Sequence, residues 1–97
     1  GRLPVTEGNP DSGGRDHNGQ GFSAWLAGGG FKPGMTYGET DEVGHRAAVN
    51  KVTANDFQAT LLHQFGLDHS KLVFFHNGLE QTLTAGREAR VVHDIIR

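Results

Sequence analysis

Glycine placement limits this chain more than any other feature. Of its 15 glycines, 12 fall within the first 44 residues. Glycine loses more conformational freedom on folding than any other residue and brings no side chain to bury. The first half is therefore expected to make turns and connections rather than an efficient core. Leu, Ile, Val and Phe still account for 23 of 97 residues, above the roughly 20% below which chains stay disordered. Together these numbers predict one small unit over residues 1–97. Cysteine is absent, which excludes disulfides, thiolate metal sites and a cysteine nucleophile. Nine basic residues stand against eleven acidic ones, for a net charge of -2. Nucleic acids and anionic membranes call for a basic excess, so neither is expected as a partner. No apolar run approaches the roughly 20 residues of a membrane span. The chain begins with Gly1, with no signal segment behind it, as a piece of a longer protein would.

Residues 1–20 carry Gly, Pro, Asn, Asp and Ser after a short Leu3–Val5 patch and read as an extended loop. GFSAWLA follows, apolar on both alternating faces, which predicts a buried strand over 21–27. Gly28-Gly29-Gly30 and Lys32-Pro33-Gly34 then turn the chain, and Met35–Gly38 offers a short strand. Residues 39–51 are polar and weakly patterned. Thr53 as N-cap, Asp56 three residues later, Phe57, Leu61 and Phe65 at four-residue spacing, and Gly66 at the end predict a helix over 53–65. Two β-prone runs around Asn77-Gly78 predict a β-hairpin over 72–84. Val91, Val92, Ile95 and Ile96 suggest a short amphipathic helix in the tail, with a strand as the alternative. Strand, loop, helix and hairpin in that order indicate a mixed α/β unit.

Asp16-His17 is the densest chemical signal. A carboxylate oxygen beside an imidazole nitrogen suits a divalent ion of the zinc, manganese or iron kind, while calcium would prefer the oxygens of Asp16 and Asn18. A solvated turn closed by an Asx hydrogen bond accounts for the same residues. The other histidines lack metal-ligand spacing: His63 is expected at the surface, His69 in a capped turn, His76 beside the hairpin turn and His93 on the polar side of the tail. Gly28–Gly34 is not a phosphate loop, because Lys32 precedes a proline and no helix begins there. Lys32 could still meet an anion as a point charge. Asp41 and His45 lie in a charged stretch and are more distant candidates for a ligand or an acid/base group.

Taken together, GRDHNGQGFSAWLAGGGFKPG, MTYGETDEVG, VTANDFQATLLHQFGLDH and ARVVHDIIR resemble the C-terminal part of an uncharacterised, sulfatase-like bacterial family in the alkaline phosphatase/sulfatase superfamily. The resemblance implies a C-terminal fragment of a three-layer α/β/α fold and metal-assisted hydrolysis of a phosphate or sulfate ester, on a small molecule or a glycan. It makes Asp16 and His17 similar to the superfamily's Asp-His metal box, with zinc, calcium, magnesium or manganese as the ion. Asn18 departs from the glycine usual there. The superfamily nucleophile and most other ligands lie upstream of this box, so the fragment is expected to be inactive alone. A non-catalytic binding module on the same fold is the alternative. Such a protein would belong in the bacterial cytoplasm or periplasm. An apolar strand that has lost its neighbours would expose an edge and favour self-association of the fragment.

Overall fold

The computed structural model describes residues 1–4, 13–76, 79–82 and 88–97, with the backbone alone over 73–76 and 79–82. The architecture is mixed α/β: the described residues form one helix, two two-stranded antiparallel ribbons and one 3₁₀ turn. The chain divides into two compact units, one of residues 1–26 and 35–51 and the other of 27–34 and 52–97.

In the second unit the capping residues set helix α1, Ala54–Gln64. Thr53 Oγ1 accepts the Asp56 N–H at 3.1 Å, and Asp56 Oδ2 accepts the Thr53 N–H at 3.0 Å, a reciprocal capping box. At the other end Gly66 adopts φ +79°. Its N–H reaches His63 O at 2.9 Å and the Leu67 N–H reaches Leu62 O at 2.9 Å, the Schellman arrangement that ends a helix. The expected helix over 53–65 is thus present, with its two end residues as caps.

Its buried face differs from the expected one. Asp56, Ala59 and Thr60 are buried, whereas Phe57 and Leu61 are only partly covered and Phe65 is 80% exposed. The reason is what the helix meets. Residues 90–92 lie against it as irregular backbone whose N–H groups need acceptors. Asp56 Oδ1 takes the Arg90 N–H at 3.0 Å, and Thr60 Oγ1 takes the Val92 N–H at 3.0 Å while donating to Asp56 O at 2.7 Å. Small and polar side chains allow that approach, and bulky ones would block it. Ala59 and Val92, 0% and 1% exposed, are the buried apolar residues among those described.

The tail makes a single 3₁₀ turn, His93–Ile95, in place of the amphipathic helix. It also holds the glycine loop: Phe31 bridges Ile96, Lys32 N–H reaches Ile95 O at 2.8 Å and Arg97 N–H reaches Gly30 O at 2.9 Å. Gln64 Nε2 closes the third side on Gly29 O at 2.6 Å. A Cβ on Gly30 would lie 2.6 Å from that Nε2, at φ +83°, so this position requires glycine. Strands β3, Val73–His76, and β4, Leu79–Thr82, pair antiparallel with His76 opposite Leu79, which agrees with the hairpin. The Asn77-Gly78 turn, residues 83–84 and the His76 side chain lie outside the described residues.

The first unit is built around strands β1, Glu39–Thr40, and β2, Ala47–Val49, paired antiparallel with an irregular register. The strand expected at Met35–Gly38 begins only at Glu39, and the weakly patterned stretch after it supplies the ribbon. The strand expected over 21–27 is not formed: these residues adopt no regular structure, Phe22 is 67% exposed and Trp25 88% exposed. A strand exists only with a hydrogen-bonded neighbour, and no described strand pairs with this segment. Within the 1–20 loop, residues 5–12 lie outside the described residues.

Asp56 joins the helix start to the tail, so its charge state should govern this unit. Burial raises its carboxyl pKa. The N–H groups of Thr53 and Arg90, the Thr53 hydroxyl and the Arg90 charge more than offset this and leave it below the ordinary aspartate value. A depressed carboxylate contributes stability in full above the unfolded value of about 3.9, and that contribution is lost as pH falls through the folded value. Urea unfolding between pH 2 and 7 should show this acid loss in the native chain and a flatter profile in Asp56→Asn. Thr60→Val leaves the Val92 N–H buried without an acceptor and should cost about 1–3 kcal/mol at neutral pH.

Candidate functional site

Residues 16–18 sit on a backbone held from both sides. Leu3 N–H reaches Asp16 O at 3.0 Å, Asn18 N–H reaches Gly1 O at 3.2 Å, and Arg2 bridges His17 between them. Arg2 Nη1 adds a bond to Arg15 O at 3.2 Å. Asp16 and His17 are exposed, while Asn18 is 5% exposed. The hydrogen bonds of the Asn18 side chain account for its burial.

The Asn18 amide ties the box to the loop between β1 and β2. Its Nδ2 donates to His45 O at 2.7 Å and more weakly to Gly44 O at 3.4 Å. Its Oδ1 accepts the Gln20 N–H at 2.9 Å, and Gln20 O in turn accepts the Ala47 N–H at 2.8 Å. Gly21 passes so close that a Cβ there would stand 3.0 Å from His45 O. Asn18 is the residue whose role the sequence did not reveal. A glycine in its place could make none of these side-chain bonds.

Asp41 organises the loop it begins. Its carboxylate accepts the His45 N–H at 2.8 Å and the Arg46 N–H at 3.2 Å. The His45 N–H is the main influence holding the Asp41 carboxyl below its ordinary value. Desolvation opposes it, while the Arg46 and Val43 N–H groups and the His45 charge act with it. Asp41 is thus a loop-closing acceptor, and His45 contributes backbone to the same network while its side chain is partly buried.

Lys32 belongs to the other unit, where its Nζ donates to Asp94 O at 2.9 Å. An ammonium has three donors, so this bond leaves two for another acceptor. His63 is at the surface as expected, with its ring edge-on to His93 at 5.3 Å between centroids. His69 sits in the expected capped turn, formed by Asp68 Oδ1 accepting both the Ser70 N–H at 2.9 Å and the Ser70 hydroxyl at 2.6 Å.

Asp16 and His17 offer donor types that suit a divalent ion. No group of three or more His, Asp or Glu able to hold a metal occurs among the described residues. Among the described residues no helix is long and apolar enough to cross a membrane.

Residues 1–96 match a family described as a protein of unknown function, DUF1501. The chain belongs to that family. No curated protein and no solved structure matches it. In this DUF1501 chain Asn18 serves three backbone partners at once. Asn18→Ala should therefore destabilise the loop by about 1–3 kcal/mol. Amide exchange at Gln20 and Ala47 should accelerate with it, while exchange within α1 stays unchanged.

Proposed function

We propose that the chain is part of a metal-dependent hydrolase of phosphate or sulfate esters, in which Asp16 and His17 are two ligands of a divalent ion. The observation that carries this reading is the exposed Asp16-His17 pair, set on backbone fixed by Gly1, Leu3 and the buried Asn18. Fixed backbone limits the rearrangement needed to present an oxygen and a nitrogen together. The sequence resemblance to the sulfatase-like Asp-His box supports the same assignment. Further ligands and the nucleophile would come from other residues of the parent protein.

When bound, such an ion polarises an ester and lowers the pKa of an attacking oxygen. The chain's own residues bind and orient. The Asp16 carboxylate and the His17 imidazole would donate electron pairs to the ion, and the Asn18 side chain holds the backbone next to them. Lys32, which lies in the second unit, has two ammonium donors beyond its bond to Asp94 O and is by itself a candidate contact for an anion.

A second reading, a non-catalytic binding module, is favoured by a different observation: Phe22 and Trp25 stand exposed four residues or more beyond the box. Exposed aromatics could supply the apolar part of a contact with a binding partner.

Calorimetric titration of the intact parent protein with zinc, manganese, magnesium and calcium separates the two. The hydrolase reading expects binding of a divalent ion that Asp16→Ala abolishes and Asn18→Ala weakens by about tenfold, as supporting-residue changes do. Unchanged metal stoichiometry in Asp16→Ala rejects the assignment. The 97-residue chain, supplied with the same ions, should not turn over a chromogenic phosphate or sulfate ester.

A further inference from the structure

His63 and His93 are far apart in sequence, and their spacing alone suggests no shared chemistry. The second unit brings them together. Their rings stand edge-on, with 5.3 Å between centroids and 80° between planes, and both residues are exposed. Neither belongs to the residues assigned above to metal or ester.

Backbone on each side fixes this pairing. His63 is in the last turn of α1, and its carbonyl accepts the Gly66 N–H of the helix stop at 2.9 Å. Thr60 lies one turn earlier on the same face. Its Oγ1 accepts the Val92 N–H at 3.0 Å, which seats His93 as the next residue. The His93 carbonyl then accepts the Ile96 N–H at 3.1 Å and closes the 3₁₀ turn. From the other side, the Lys32 N–H on Ile95 O and the Arg97 N–H on Gly30 O hold the tail to the glycine loop. Both backbones are therefore in place before any ligand arrives. An exposed imidazole then aims its lone pairs largely by turning about the Cβ–Cγ bond, a broad torsion.

Two imidazoles held in this way select among ions. Imidazole suits zinc, copper and nickel, whereas magnesium and calcium take oxygen ligands. Two imidazoles sharing a tetrahedral zinc, with Zn–N of about 2.0–2.1 Å, have centroids roughly 5 Å apart. The His63 and His93 rings already stand at 5.3 Å. Charges of both signs surround them. The C-terminal end of α1 and Asp68, which lines the same shallow cavity as His63, are negative. Lys32 Nζ opposes them from Asp94 O, one residue from His93. Nitrogen lone pairs rather than net charge thus decide what binds. No third His, Asp or Glu completes a ligand group among the described residues, so water takes the remaining positions and the ion stays exchangeable. We propose that His63 and His93 together bind a zinc ion, which clasps the end of α1 to the tail. This site is independent of the ester-hydrolase reading.

The test is an NMR titration of the 97-residue chain with zinc chloride at neutral pH, read at the histidine ring protons, with magnesium chloride in parallel. Zinc should give saturable shifts of the His63 and His93 rings with one shared midpoint, and magnesium should give none there. His63→Phe and His93→Phe each keep a ring at an exposed position and remove the nitrogens. Either should weaken zinc binding at the remaining histidine by at least about tenfold, because one imidazole has lost its chelate partner. Asp16 and His17 give separate signals, so failure at this site and failure of that pair are told apart. Absence of saturable shifts at His63 and His93 up to millimolar zinc overturns the proposal. Different midpoints for the two rings or an equal response to magnesium do so too, and these comparisons need no variant to fold. Undiminished binding in either folded variant also rejects it.

Discussion

Irregular backbone that is removed from water must still find hydrogen-bond partners, and that constraint shapes both units. Regular structure satisfies little of the described residues: one 11-residue helix and two short ribbons. Side chains do the rest. Asn18 serves two carbonyls and an N–H, Asp41 takes two N–H groups, and Asp56 takes two more. Thr60, Gln64 and Lys32 each satisfy one further backbone group of a distant segment. These bonds occupy the places that apolar packing fills in larger domains. Among the described residues the largest fully buried side chains are accordingly Val92 and Thr60, one apolar and one polar.

The same constraint explains what could be read from the sequence. Helix α1 was legible because its signals are local: Thr53, Asp56 and Gly66 act within a few residues of where they stand. The β3–β4 pairing was legible for the same reason. The buried face of α1 was not, because it depends on residues 90–92, more than 30 positions away, which arrive as backbone donors. Phe57, Leu61 and Phe65 make a convincing apolar stripe, yet a carboxylate and a hydroxyl are what those donors need. The segment 21–27 failed for a related reason, since apolar content makes a strand only when another strand is present.

At the candidate site, the sequence named the chemical residues and missed the one that holds them. Asp16 and His17 stand out by type, while Asn18 looked like a departure from a motif. Its amide is nevertheless the link between the box and the Asp41–Arg46 loop. Asp41 and His45 entered the reading as distant ligand candidates. The structure uses the Asp41 carboxylate and the His45 backbone to shape the loop that the Asn18 amide grips. Lys32 has a comparable double character, since its ammonium already fastens the glycine loop to the tail.

The clamp between Asp56 and Arg90 also fixes what lies between them. It joins two points 34 residues apart in sequence, so the β3–β4 ribbon hangs from a closed ring whose ends are held by the helix. The entropy of closing a chain loop grows only logarithmically with its length, with each doubling costing roughly 0.6 kcal/mol. By that measure a change of length within the ribbon is expected to alter the cost of closing the ring only slightly.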